Sequence, residues 1–189
     1  MMANAGIQAA ARRFVIRGRG LTATRVAGLL AFAIPGAGFI LGLFAVRGRP
    51  EFGFLEDAAR WPLELWIIAF GGSVASVGGL ADFVWHVRGH HEVSRREERG
   101  EVIALLCGGA PLFLIMAAAS VAADPRPYLL PVLLVLMFTV VCVCHDEFVY
   151  HRRACTKTEA LFHRVLIFGN SAAFLAWFFW IFVRDRIGV

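Results

Sequence analysis

This 189-residue chain has six histidines, His86, His90, His91, His145, His151 and His163, and three of them follow a carboxylate at a distance of four residues. Asp82 precedes His86, Glu147 precedes His151 and Glu159 precedes His163, in the strings ADFVWH, DEFVYH and TEALFH. On an α-helix four residues turn about 400°, so each acid and its histidine share one face a turn apart. Asp82, His86 and His90 extend this into three rungs. Imidazoles and carboxylates together are ligands for borderline-to-hard divalent cations such as iron, zinc or manganese. Nine candidate ligands, counting His91 and His145, are too many for one ion, so the pattern points to two. A regular helix places His145 about 240° from His151, which weakens its membership of the group.

These groups must be held by something, and bulk composition decides what. Hydrophobic residues make up 59% of the chain and charged ones 17%, with a mean hydropathy of +0.68, beyond what a soluble surface requires. Crossing about 30 Å of hydrocarbon takes about 20 apolar residues in a helix. Runs of that length occur at about 26–46, 62–84, 102–122, 129–149 and 162–183. Backbone groups cannot go unpaired in lipid and the runs are too long for barrel strands, so an all-α membrane bundle of five transmembrane helices follows. A basic N-terminal segment, 1–25, precedes the bundle domain of 26–189, and reads as an uncleaved start, either an interfacial helix or a topology-setting tail.

Thirteen Lys and Arg residues fall on the N-terminal side of this arrangement and six on the other, so the N-terminus is expected in the cytoplasm and the C-terminus outside. The expected location is the inner or plasma membrane. All six histidines then sit at the cytoplasmic ends of spans two, four and five or just beyond. Three acid–histidine pairs at one depth near hydrocarbon are costly unless a cation compensates them, and ionisable groups there are usually functional.

The string His86-x-x-x-His90-His91 resembles a histidine box of the membrane fatty-acid desaturase and hydroxylase superfamily. The resemblance covers one box of six residues, whereas that superfamily carries eight or more histidines in three boxes. It implies a non-haem di-iron centre at the cytoplasmic face, with carboxylates in place of missing histidines. It also implies oxidation of a lipid or other hydrophobic substrate, with an electron-donor protein as partner and no nucleic acid. Phe148, Tyr150, Phe162 and Trp85 would wall the site, and Arg152 and Arg153 would hold an anionic headgroup or acidic donor.

Other readings stand beside this one. A bis-histidine haem protein would need only two of the six histidines. A metal transporter would need polar groups near the midplane, where the chain offers Ser73, Ser76, Thr139, Asn170 and Ser171. A metal-free complex subunit would leave the histidines as interfacial anchors, with Glu159 only favouring the N-terminus of span five beside Thr156 and Thr158. Cys107, Cys142, Cys144 and Cys155 imply no disulfide framework, although Cys142-x-Cys144-His145 offers soft ligands to zinc or copper.

Packing signals complete the reading. Gly38 and Gly42, and Gly71, Ala75 and Gly79, allow close helix approach. Pro35, Pro111 and Pro131 predict kinks or freed carbonyls. Asn170, about two turns deeper than His163 on a nearby face, is expected to support packing, with a hydrogen bond to a substrate as the alternative, and the aromatic run 176–182 to form an outer belt.

Overall fold

The five long apolar runs become five helices. The computed structural model describes residues 23–87, 99–100, 102–145, 148 and 156–184. Helix α1 is Ala23–Val46 and α2 is Leu63–Val87. A six-residue π-helical stretch, Ala104–Gly109, runs directly into α3, Ala110–Val121. Helix α4 is Arg126–His145. Helix α5 is Lys157–Phe179, extended by a π-helical turn, Trp180–Arg184. The protein is all-α among the described residues, and four helices, Leu63–Trp85, Ala104–Val121, Arg126–His145 and Lys157–Arg184, are long and apolar enough to cross a membrane. The described apolar part of α1 is the shorter Gly36–Val46.

Local chemistry explains the irregularities. Pro111 has no N–H to donate one turn back, so the turn before it widens. The Ala110 N–H reaches instead to the Leu105 carbonyl, five residues back. Helices α1 and α4 run on through Pro35 and Pro131. Hydroxyls inside the apolar helices bond their own backbone: Ser73 to Ala69 O at 2.7 Å, Ser120 to Met116 O at 2.8 Å and Thr139 to Val135 O at 2.8 Å. Each hydroxyl is thereby paired locally, as an apolar surround requires.

Helices α2 and α5 form the most intimate pair, antiparallel along their whole lengths. A Cβ built on Gly71 would lie 2.9 Å from Gly169 O, and one on Gly169 would lie 2.7 Å from both Ala75 N and Gly71 O. Gly78 meets Leu166 N at 2.8 Å in the same way. Only residues without side chains allow backbones this close. The stripe is therefore Gly71, Ala75 and Gly78 against Gly169 and Ala173, with Gly79 also buried. In α1, Gly38 lies under the Phe113 ring of α3, whereas Gly42 faces open space.

Two apolar clusters hold the remaining helices, and both lie toward the same end. Leu112, Met116 and Ala119 of α3 pack with Val132 of α4 and Phe182 after α5. Leu65 and Ile68 of α2 pack with Ala176 of α5, covered by Phe54, Leu55 and Trp61 from the α1–α2 connection. That connection contains two short 3-10 turns, Pro50–Glu56 and Ala58–Arg60. Trp177 belongs to this packed end rather than to a lipid-facing belt: its indole N–H donates to Ser120 Oγ of α3 at 2.8 Å, and its ring lies 5.4 Å from Phe113. Trp180 is drawn in likewise, edge-on to Phe54 at 6.3 Å.

Candidate functional site

The opposite end carries the histidines, and α5 begins there with a sequence-encoded lock. Thr156-x-x-Glu159 forms a capping box. The Glu159 N–H donates to Thr156 Oγ1 at 3.3 Å, and the Thr156 N–H donates to Glu159 Oε2 at 3.2 Å. Two backbone donors that a helix start leaves unsatisfied are thereby paired. Glu159 is 1% exposed, so its carboxylate is both a helix cap and a buried acid at the foot of α5.

The α2·α5 seam sets the level of the other groups. Gly78 lies against Phe162 O and Leu166 N, and Trp85 stacks edge-on to Phe162, with ring centroids 6.1 Å apart. Asp82 falls four residues after Gly78 and three before Trp85, on the face of α2 turned to α5. Asp82 Oδ1, Trp85 Nε1 and His163 Nε2 are all buried. The antiparallel register thus brings Asp82 and Trp85 of α2 to the level of Glu159, Phe162 and His163 of α5. His86 continues α2 one turn beyond Asp82.

Two of the three acid–histidine pairs therefore lie on helices packed against each other. His145, the last residue of α4, is exposed, and α4 packs chiefly against α3 and the stretch before it. His90, His91, Glu147 and His151 lie outside the described residues, as do Tyr150, Arg152, Arg153, Cys155, the basic N-terminal segment up to residue 22 and most of the charged loop after His91. Among the described residues no three His, Cys, Asp or Glu side chains gather closely enough to hold a metal ion. Cys107, Cys142 and Cys144 are free thiols. What the described residues provide at this end is a carboxylate oxygen, an imidazole nitrogen and an indole nitrogen, all buried, on two helices packed against each other.

One polar feature escaped the sequence reading. Arg184 Nη1 donates to Glu64 Oε2 at 3.1 Å and ties the last turn after α5 to the first turn of α2. A lone acid opening one apolar run and a lone arginine closing another were the available signal. Asn170, expected in helix packing, is exposed, and its neighbour Gly169 occupies the seam.

No protein-family model matches this chain, and neither a curated protein nor a solved structure does.

Proposed function

We propose that the chain is a multi-pass protein of the inner or plasma membrane, with five spans, a cytoplasmic N-terminus and an external C-terminus. In this reading the histidine end faces the cytoplasm and binds divalent metal, two irons in the full site, to oxidise a lipid or another hydrophobic substrate. The observation that carries it is the level meeting of Asp82 with His163 across the α2·α5 seam, their Oδ1 and Nε2 atoms both buried. A carboxylate and an imidazole withdrawn from water in an apolar bundle are costly, and a cation offsets that cost. The donor set fits iron or zinc by its chemistry. Three or more ligands are needed, so Asp82 and His163 would be joined by His86 and by members of the set His90, His91, Glu147 and His151. His145 and Glu159 complete the candidate ligands, and Glu159 has one oxygen already committed to its helix cap.

Bound iron would supply the activation of dioxygen, with electrons from a donor protein. The chain's own part is positional. The glycine seam fixes α2 against α5, the capping box fixes the first turn of α5, and Trp85 with Phe162 keeps water from the acid–histidine pair.

The capping box favours a second reading, a metal-free membrane subunit in which Glu159 is structural. Elemental analysis of protein purified without chelators separates the two. The metal reading expects stoichiometric iron or zinc, lost in both His86→Ala and His163→Ala; metal content unchanged in either variant overturns it.

A further inference from the structure

Two cations at the ring-packed end, Arg184 and Arg126, each sit beside a carboxylate, Glu64 at 3.1 Å and Asp124 at 3.7 Å. Lys157 and Arg164, at the histidine end of α5, are exposed, and neither has a carboxylate partner among the described residues. The one acid of Lys157–Phe179 is Glu159, buried in its capping box about 200° around the helix from Lys157. The two cations are placed regularly. Lys157, Leu161, Arg164, Phe168 and Leu175 follow one another at steps of four, three, four and seven residues, which keeps all five within a strip about 60° wide. Every one of them is exposed, Leu161 by 57%, Phe168 by 70% and Leu175 by 62%. The contacts of α5 lie elsewhere around it: Gly169 and Ala173 meet α2, and Trp177 meets α3. The uncovered strip is therefore positive as far as Arg164 and apolar beyond it.

Arg164 lies about 10 Å along the helix from Lys157, already inside a 28-residue span long and apolar enough to cross a membrane. A guanidinium without a carboxylate is costly beside hydrocarbon, and its long stem lets the charged head reach up to headgroup level. The anion it meets there is phosphate, which a guanidinium grips through two parallel hydrogen bonds. Two cations with no acid beside them disfavour a headgroup that carries its own cation, such as choline. Farther in, the strip from Arg164 to Leu175 is about 16 Å long, close to one leaflet's half of about 30 Å of hydrocarbon. Charge and length select the same occupant. We propose that this face of α5 is a binding site for an anionic phospholipid of the leaflet at the histidine end. Its phosphate sits on Arg164, Lys157 adds a second positive charge farther out, and an acyl chain lies along Phe168 and Leu175. The site rests on the membrane-embedded reading above and is independent of the metal.

The experiment reconstitutes the full-length chain into vesicles of phosphatidylcholine and phosphatidylglycerol in equal amounts and counts the lipids retained on the protein by native mass spectrometry. The expected result is several-fold more phosphatidylglycerol than phosphatidylcholine, falling to parity in Arg164→Gln and partly kept in Arg164→Lys. Phe168→Ala, which shortens the apolar part of the strip, should lower the preference less than Arg164→Gln. These side chains are exposed, so the variants keep the fold, which circular dichroism checks. Arg99→Gln is the control for charge alone, because Arg99 is an exposed cation on another segment; it should leave the preference unchanged. Equal retention of the two lipids overturns the site, as does a loss in Arg99→Gln as large as in Arg164→Gln. Displacement of the lipid by millimolar glycerophosphoglycerol, the headgroup without chains, also overturns it, since the strip would then hold free phosphate. A chain that inserts into vesicles without lipid preference loses this site and keeps the membrane reading; one that inserts into neither pure nor mixed vesicles loses both.

Discussion

The two ends of this bundle are held by opposite means. Toward Glu64 and Arg184, side-chain volume does the work: Met116 and Val132 are 0% exposed, aromatic rings interlock, and the Trp177–Ser120 hydrogen bond crosses between helices. Toward the histidines the close contact comes from missing side chains, with Gly78 and Gly169 letting backbones touch. Four of the helices are long and apolar enough to cross a membrane; lipid tails are as apolar as leucine, so in that setting packing and hydrogen bonds rather than burial from water hold the helices together. An end packed by rings is filled. The end packed through glycine also carries buried polar atoms, on Asp82, Trp85 and His163.

The sharpest way to break the comparison is Gly169→Leu. The atoms a side chain would strike, Ala75 N and Gly71 O at 2.7 Å, are backbone and cannot swing aside. Overpacking of this kind costs about 3 kcal/mol or more. Gly42→Leu, facing open space, is expected to stay within about 0.5 kcal/mol. Unfolding by sodium dodecyl sulfate in mixed micelles measures both, and equal losses would mean the seam is not what joins α2 to α5. Next in size is Met116→Ala at the filled end, where truncation of a fully buried side chain costs about 2–3 kcal/mol. A loss below about 1 kcal/mol would show that the ring-packed end collapses around the gap.

Much of this was legible in the residue pattern, and the exceptions have physical causes. Five apolar runs mark five helices because backbone pairing in lipid allows little else. The expected start at 62 and the observed Leu63 differ by one residue. The spacing of Gly71, Ala75 and Gly79 announced the seam, but close contact also falls at Gly78, since a helix face alternates steps of three and four. The capping box was readable from Thr156-x-x-Glu159. Partner choice was not. Sequence spacing places Asp82 and His86 on one face, yet only the antiparallel register of α2 on α5 brings His163 near the level of Asp82. Trp177 looked like an interfacial anchor because composition does not say which way an indole points. Pro111 predicted a disturbance but not its form, a π-helical stretch before it within which Gly108 fits against Thr139.

At the histidine end the smaller test is Thr156→Ala. It removes the oxygen that accepts from the Glu159 N–H and is expected to cost about 1 kcal/mol, the usual loss for an N-cap. Glu159→Gln retains an acceptor for the Thr156 N–H and should cost less than Glu159→Ala. If metal content also falls in Glu159→Gln while stability holds, the carboxylate serves more than the cap; if stability and metal content both hold, the cap is its whole role.

The smallest expected effect lies back at the filled end, in the Glu64–Arg184 pair. The two groups are 3.1 Å apart, with side-chain exposures of 16% for Glu64 and 33% for Arg184. Such exposure leaves water and salt to screen the pair, so a double-mutant cycle with Glu64→Gln and Arg184→Gln should return a coupling of about 0.5–1 kcal/mol. Raising ionic strength should shrink it further. A coupling above about 3 kcal/mol, insensitive to salt, would mean the pair is sealed from solvent. The filled end would then depend on charge as much as on ring packing, and the contrast between the two ends would have to be redrawn around where ions are buried rather than where side chains are large.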